Sequence, residues 1–252
     1  PWLSPSPACK LHIAFTLDNG MAHSHPPVRR AISETVAALR LAGHEVTELP
    51  ALDYVRASAL FSTISAADGG ADLRSFLADT NEPLIPEAFA VAGSASSVHE
   101  LSQTVIGRDA FRQEFLRLWQ GPSVASVSSQ AFDLILCPLT AHLAWPHLGR
   151  PHDAELITWT TTWSLLDLPV ATLPVGEINP VKDSPCPLPE PAYSSFDQQH
   201  WEGYSPSRFS NAPLVVQLVS PRRFREDELL SMVEVVQEAV KAYKLAKRVQ
   251  SE

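Results

Sequence analysis

The feature that most restricts how this chain can fold lies between Thr158 and Gly176. There a polar and aromatic lead, Thr158-Trp-Thr-Thr-Thr-Trp-Ser164, runs toward the apolar segment Val170-Ala-Thr-Leu-Pro-Val175 and stops at Gly176. β-Branched and apolar residues closed by a glycine predict a strand covered on both faces. In the lead, Trp159 and Trp163 are four apart and Leu166 follows Trp163 at three, a helical spacing that gathers the bulky groups on one side. Hydroxyls at Thr158, Thr160, Thr161, Thr162 and Ser164 crowd around them. The stretch is expected to form a pocket wall beside a sheet end or, more plainly, to supply two core aromatics while the threonines cap a turn.

A buried strand needs neighbours, and the rest of the chain provides them. Leu11-His-Ile-Ala-Phe-Thr16 reads as a strand and Asp18-Asn-Gly20 as a turn. Pro26 and Pro27 open a helix whose buried stripe is Val28, Ile32, Val36 and Leu39, and Gly43 ends it. His44 to Leu49 then alternates, which completes a strand-helix-strand unit with a right-handed parallel crossover. Leu52 to Thr80 has a helical pattern broken at Gly69-Gly70, Val105 to Trp119 is a further helix, and Asp133 to Pro138 and Leu214 to Val219 are strands. The last helix carries Leu229, Val233, Val236 and Val240 on one face, with acids at its start and lysines at its end, as the helix dipole favours.

Three segments fall outside this pattern. Pro1 to Lys10 reads as a linker, and residues 11–248 as one domain. Leu139 to Asp153, rich in His, Pro and Trp, has the character of a strand-end loop, where α/β proteins place their sites. Glu177 to Ser207 is dense in proline and aperiodic, which predicts a surface excursion or a lid.

Composition excludes several functions. A formal charge of -9 argues against a nucleic-acid partner. No apolar run is long enough to span a membrane, and Pro1 to Lys10 lacks the pattern of a signal peptide, so the cytosol is the expected compartment. Cys9, Cys137 and Cys186 are too widely spaced for a disulfide framework or a zinc pattern. The histidine groupings are His23 with His25, and His142, His147 and His152. The trio has only Asp153 as a further ligand at suitable spacing, so no metal is expected, and a metal hydrolase is the least favoured reading. No glycine-rich phosphate loop, dinucleotide fingerprint or Gly-x-Ser-x-Gly elbow occurs, so no cofactor is expected either. Gly93-Ser-Ala-Ser-Ser97 has no lysine or other base beside it and reads as a plain loop.

Taken in order, eight pieces of the chain match one family. They are Asp18-Asn-Gly-Met-Ala-His-Ser-His-Pro-Pro-Val-Arg-Arg-Ala31, Ala42-Gly-His-Glu-Val46, Ala67-Asp-Gly-Gly70, Asp133-Leu-Ile-Leu-Cys-Pro138, Trp163-Ser-Leu-Leu-Asp-Leu-Pro-Val-Ala171, Leu173-Pro-Val-Gly176, Ala212 to Val219, and the Arg222-Arg-Phe224 turn into the last helix. From Leu11 to Tyr243 the chain resembles the C-terminal half of an amidase signature enzyme, in the fungal acetamidase and fatty-acid amide hydrolase branch. The resemblance implies an α/β fold: a mixed β-sheet flanked by helices, with the N-terminal strands and catalytic core of the family lying outside this chain.

It also implies hydrolysis of carboxylic amides by a serine nucleophile, a second serine and a lysine base. The family carries these in a Gly-Gly-Ser-Ser-Gly-Gly region of its N-terminal half, which has no counterpart here. Lys10, Lys182, Lys241, Lys244 and Lys247 match no such base, so no catalytic residue is expected in this chain. By the same resemblance Ile157, Trp159 and Thr161 are candidates to line the acyl side of a substrate pocket. Ser164 departs from the family, which usually has Asn there. Two functions follow as expectations: part of an amidohydrolase, inactive alone and acting on a small amide substrate when complemented, or a non-catalytic binding or scaffold protein derived from one. In either case an uncovered strand edge predicts self-association or pairing with the family's other half.

Overall fold

In the computed structural model the described residues are 10–49, 52–84, 94–120, 131–143, 154–209 and 211–250. The linker-like start up to residue 9 lies outside them, as do His147 and His152.

Among the described residues, short apolar runs make five strands and periodic segments make seven α-helices. Strand β1 (His12–Phe15) leads into α1 (Pro26–Leu41) and β2 (Glu45–Glu48). Three helices follow, α2 (Tyr54–Ser65), α3 (Ala71–Thr80) and α4 (Val98–Gln120), before β3 (Leu134–Pro138). Then come α5 (Ala154–Leu166), β4 (Val170–Glu177), α6 (Ser195–Glu202), β5 (Pro213–Val219) and α7 (Glu226–Gln250). The bend between α2 and α3 falls at the expected glycines. Gly69 and Gly70 both have positive φ, and the Asp68 carboxylate accepts from the N–H groups of Gly70 and Asp72 to start α3.

The sheet order is β2-β1-β3-β5-β4. β1 pairs in parallel with β2 and with β3, whereas β5 is antiparallel to both β3 and β4, so the sheet is mixed, as expected. One face is covered by α1 and α7, which pack Ile32, Leu39, Leu229, Val236 and Val240 against Ile13, Leu136, Val216 and Leu218. The other is covered by α2, α4 and α5, through Tyr54, Phe111, Phe115, Trp159 and Trp163 over Ile135, Cys137 and Val219.

Two expectations are corrected. β4 is an edge strand and not one covered on both faces: Leu173 and Val175 are buried toward α1 and α7, but Val170, Thr172 and Pro174 on the opposite face are exposed. The alternation that marks a one-sided strand was hidden in the sequence because the outward residues are themselves apolar or β-branched. The proline-rich excursion, for its part, contains α6 and a 3-10 turn at Pro206–Phe209. Ser194 Oγ accepts from the Asp197 N–H to cap α6, a start signal that eight residues among prolines left too brief to show as a period.

Candidate functional site

The pocket-wall segment is α5, and its two sides differ sharply. Thr158, Trp159, Thr162, Trp163 and Leu166 point inward and are buried. Trp159 and Trp163 are each 0% exposed. The Trp159 ring lies 5.2 Å from that of Tyr54, and Trp163 packs edge-on against Tyr54 at 6.4 Å and against Phe115 at 6.1 Å. This is the plainer of the two sequence readings for the tryptophans, that of core aromatics. The threonines, however, do not cap a turn. They lie inside the helix and return their protons to it: Thr160 Oγ1 donates to Ile157 O, Thr161 Oγ1 and Thr162 Oγ1 to Thr158 O, and Ser164 Oγ to Thr160 O. Asp167, with φ 57°, closes the helix: its N–H donates to Ser164 O while the Leu168 N–H donates to Trp163 O, and Pro169 prevents continuation.

The outward side is formed by Ile157, Thr160, Thr161 and Ser164, spaced at three, four and seven along the helix. Ile157 is 37% exposed, Thr160 half-buried and Ser164 exposed, whereas Thr161 is 7% exposed. Of the three residues expected to line a pocket, Ile157 and Thr161 thus share this side, and Trp159 supports it from the core. Their hydroxyl protons are engaged, so Thr160 and Ser164 present lone pairs outward, beside the exposed Ile157 side chain.

Beneath α5 the chemistry is quiet. Burial pushes the Cys137 thiol up to about 12, against a smaller opposing pull from the Trp163 side chain, so it is no nucleophile near neutral pH. Burial likewise raises the Tyr54 hydroxyl well above its ordinary value, with Cys137 and Asp18 adding to the effect. Tyr54 Oη, Trp159 Nε1 and Gln217 Oε1 have no hydrogen-bond partner among the described residues.

A second cluster sits past the C-terminal end of β1, in the region where α/β sheets carry sites. The turn is set by Asp18 Oδ1, which accepts from the Gly20 N–H, and by Asn19 Oδ1, which accepts from Met21 and Ala22. It delivers His23 to the buried Asp197 of α6. The His23 backbone N–H donates to Asp197 Oδ1 at 2.7 Å, and its Nδ1–H donates to Asp197 Oδ2 at 2.6 Å. The ring stacks on Tyr193 at 4.2 Å, and its Nε2 lies 3.8 Å from Asp18 Oδ2. His25 stacks on His200 at 4.0 Å and donates from Nε2 to the His200 carbonyl. Its pKa is driven down to about 3, chiefly by burial with His200 and His142 adding to the effect, against the opposing bond to the His200 carbonyl.

A carboxylate-oriented imidazole has the form of a general base. His23 is nevertheless almost wholly buried and sandwiched by aromatics, so the pair acts as a clamp that fastens α6 to the sheet end. Asp197 and His200 escaped the sequence analysis, although the Ser194-Ser-Phe-Asp197 capping pattern marks the helix that carries them. His142 approaches His200, with ring centroids 6.2 Å apart, and no metal-holding group of three or more ligands occurs among the described residues.

Comparison with known proteins places this geometry. A family model described as Amidase matches residues 4–230. An amidase of Gibberella zeae is 30% identical over 253 residues, an alignment taking in 96% of this chain and 45% of that protein. An acetamidase of Emericella nidulans is 29% identical over 230 residues, covering 90% of this chain and 40% of that one. The solved structure of a fatty acid amide hydrolase superposes with a TM-score of 0.73 at 24% identity, over 91% of this chain and 40% of its own, a likeness of fold. This chain therefore spans less than half the length of these relatives.

Proposed function

This chain belongs to the amidase family, and from that premise we propose that it is part of an amidohydrolase that cleaves carboxylic amide C–N bonds. In this reading it supplies the supporting sheet and one wall of the substrate pocket, while the nucleophilic serine and the lysine base come from residues outside it. The observation that carries the assignment is the state of its lysines. A lysine base needs a desolvated setting in which its ammonium gives up a proton near neutral pH. Lys10, Lys182, Lys241, Lys244 and Lys247 are all exposed, and Lys10, Lys241 and Lys247 form surface ion pairs with Glu45, Glu238 and Glu34.

The wall itself suits an amide. Ile157 offers an apolar contact for the acyl part, and hydroxyl oxygens whose protons are already committed can accept from an amide N–H. Trp159, buried against Tyr54, anchors the helix that carries Ile157 and Thr161. The exposed face of β4 at Val170, Thr172 and Pro174 adjoins the unpaired Gln217 Oε1 on β5, a buried acceptor of the kind that ordinarily has a partner. We assign this open face to the polypeptide that carries the serines and the lysine, or to a second copy of the chain. The same reading puts the protein in the cytosol, in keeping with the free thiols Cys137 and Cys186.

A second reading, a binding or scaffold protein derived from such an enzyme, is favoured by Ser164, which donates to its own helix at a position where the resemblance to the amidase family implies Asn. The two separate in one experiment. The purified chain is treated with a fluorophosphonate probe and assayed on short aliphatic amides, alone and as part of any longer product of its gene. The amidohydrolase reading expects labelling and turnover only in the longer product, with Ile157→Ala and Thr161→Val raising KM; the scaffold reading expects neither in any form. Turnover by the chain alone, lost on changing a single Ser or Lys within it, would overturn both.

A further inference from the structure

On the side of the sheet away from α5, a groove of 740 Å³ opens between α1, α7 and the end of β4. Its floor is apolar: Ala31, Val175, Leu214 and Val240 are buried there, with Tyr243 along one wall. Its rim is charged. Arg30, Lys182, Lys244, Lys247 and Arg248 face Glu34 and Glu177, so five cations meet two carboxylates in a chain whose net charge is -9. On α7 the contributors recur at three, four, seven and eight from Val240, one stripe that turns from apolar to cationic toward the rim.

Helix-dipole compensation accounts for cations in the last turn of α7, but it does not account for Lys182. That residue sits on a separate turn with a fixed backbone. Asn179 Oδ1 accepts from the N–H groups of Val181 and Lys182, Asp183 Oδ2 accepts from the Asn179 N–H, and Arg30 holds the same Asp183 through Nε at 2.6 Å and Nη2 at 2.7 Å. The turn is bolted to α1, which fixes the backbone from which Lys182 reaches the groove that Lys244 also lines. Neither lysine has a carboxylate partner among the described residues. Arg30, by contrast, is already occupied by Asp183 and Glu34.

We infer that this groove is a binding site for a small organic anion, an oxyanion head on a compact apolar body. The head is held between Lys182 and Lys244, and the body lies on Val240, Leu214 and Val175 beside the Tyr243 ring. The volume falls in the range of small-molecule sites, roughly 300–1,000 Å³. The site is distinct from the proposed substrate wall, because it lies across the sheet from α5 and shares no residue with that wall.

The test is calorimetric titration of the purified chain with four probes: 2-naphthoate, 2-naphthyl phosphate, uncharged 2-naphthalenemethanol and inorganic phosphate. One or both naphthyl anions should bind at one per chain, at least about tenfold more tightly than the alcohol or inorganic phosphate. Affinity should fall between about 50 mM and 500 mM salt. The Lys182→Gln/Lys244→Gln variant, with both changes at exposed positions, should lose about tenfold or more in affinity with an unchanged thermal melt. Tyr243→Ala should weaken the naphthyl anions and leave inorganic phosphate unaffected. Equal binding of the alcohol, full binding of inorganic phosphate alone, retention of affinity in the double glutamine variant, or no binding of either anion would each overturn the assignment.

Discussion

With its pKa driven down to about 3, His25 stays neutral in the folded chain at pH values where an unfolded imidazole, at 6.5, takes up a proton. The unfolded state therefore binds more protons below pH 6.5, and the folded state loses stability as pH falls from there toward 3. The expected slope is up to about 1.4 kcal/mol per pH unit. Urea titrations at pH 7 and pH 5 should show the midpoint falling, and His25→Gln should reduce that fall while lowering stability at pH 7. A second residue-scale expectation concerns Trp163, enclosed by Tyr54, Phe115 and Cys137. Trp163→Ala should cost about 3–5 kcal/mol in chemical denaturation, because the rigid surroundings cannot close over the space. A loss below about 1 kcal/mol would mean that the α5 side of the sheet is loosely packed.

At the scale of elements, the excursion between β4 and β5 is held to the rest of the chain by two carboxylate clamps, Arg30 to Asp183 and His23 to Asp197, beside the contact of His25 with His200. Asp183 is buried and also takes the Asn179 N–H, so Asp183→Ala leaves Arg30 with Glu34 and the Glu177 carbonyl and unties the turn. The expected loss is about 3 kcal/mol, at the low end for removing one partner of a buried pair because Arg30 is partly exposed. Limited proteolysis should then cut between Lys182 and Tyr193 faster than in the parent chain, and unchanged cleavage would count against the clamp. These elements also mark what the sequence could convey. The unit β1-α1-β2, the break between α2 and α3, and strands β3 and β5 were legible because their apolar spacing and glycines act locally. The edge position of β4 was not, since Val170 and Thr172 look the same whether the face they occupy is covered or open. Nor were the partners of His23 and His25, which lie 174 and 175 residues away and carry no local signature. For the candidate wall, spacing gave the helix and its buried tryptophans, but only the fold shows that Ile157 is exposed while Thr161 beside it is buried.

For the whole molecule, the open face and free edge of β4 matter most. Val170 is 39% exposed, Thr172 and Pro174 are exposed beside it, and among the described residues the strand has β5 on one side only. An uncovered edge of this kind recruits other chains, against which Pro174, lacking an N–H, and the net charge of -9 offer partial protection. The isolated chain should self-associate in sedimentation or sizing measurements, and Val170→Lys with Thr172→Lys should shift it toward monomer. A monodisperse parent chain with a sharp cooperative melt would argue that this edge is inert.

The two clamps also bear on the order of assembly. They join residues 153 and 174 positions apart, so bringing their ends together early would carry a large loss of chain freedom with few native contacts to offset it. Docking of the excursion is therefore expected to come late, after the sheet and α1 have set the positions of Arg30 and His23. In stopped-flow experiments, Asp183→Ala should leave the refolding rate nearly unchanged and appear almost entirely as faster unfolding.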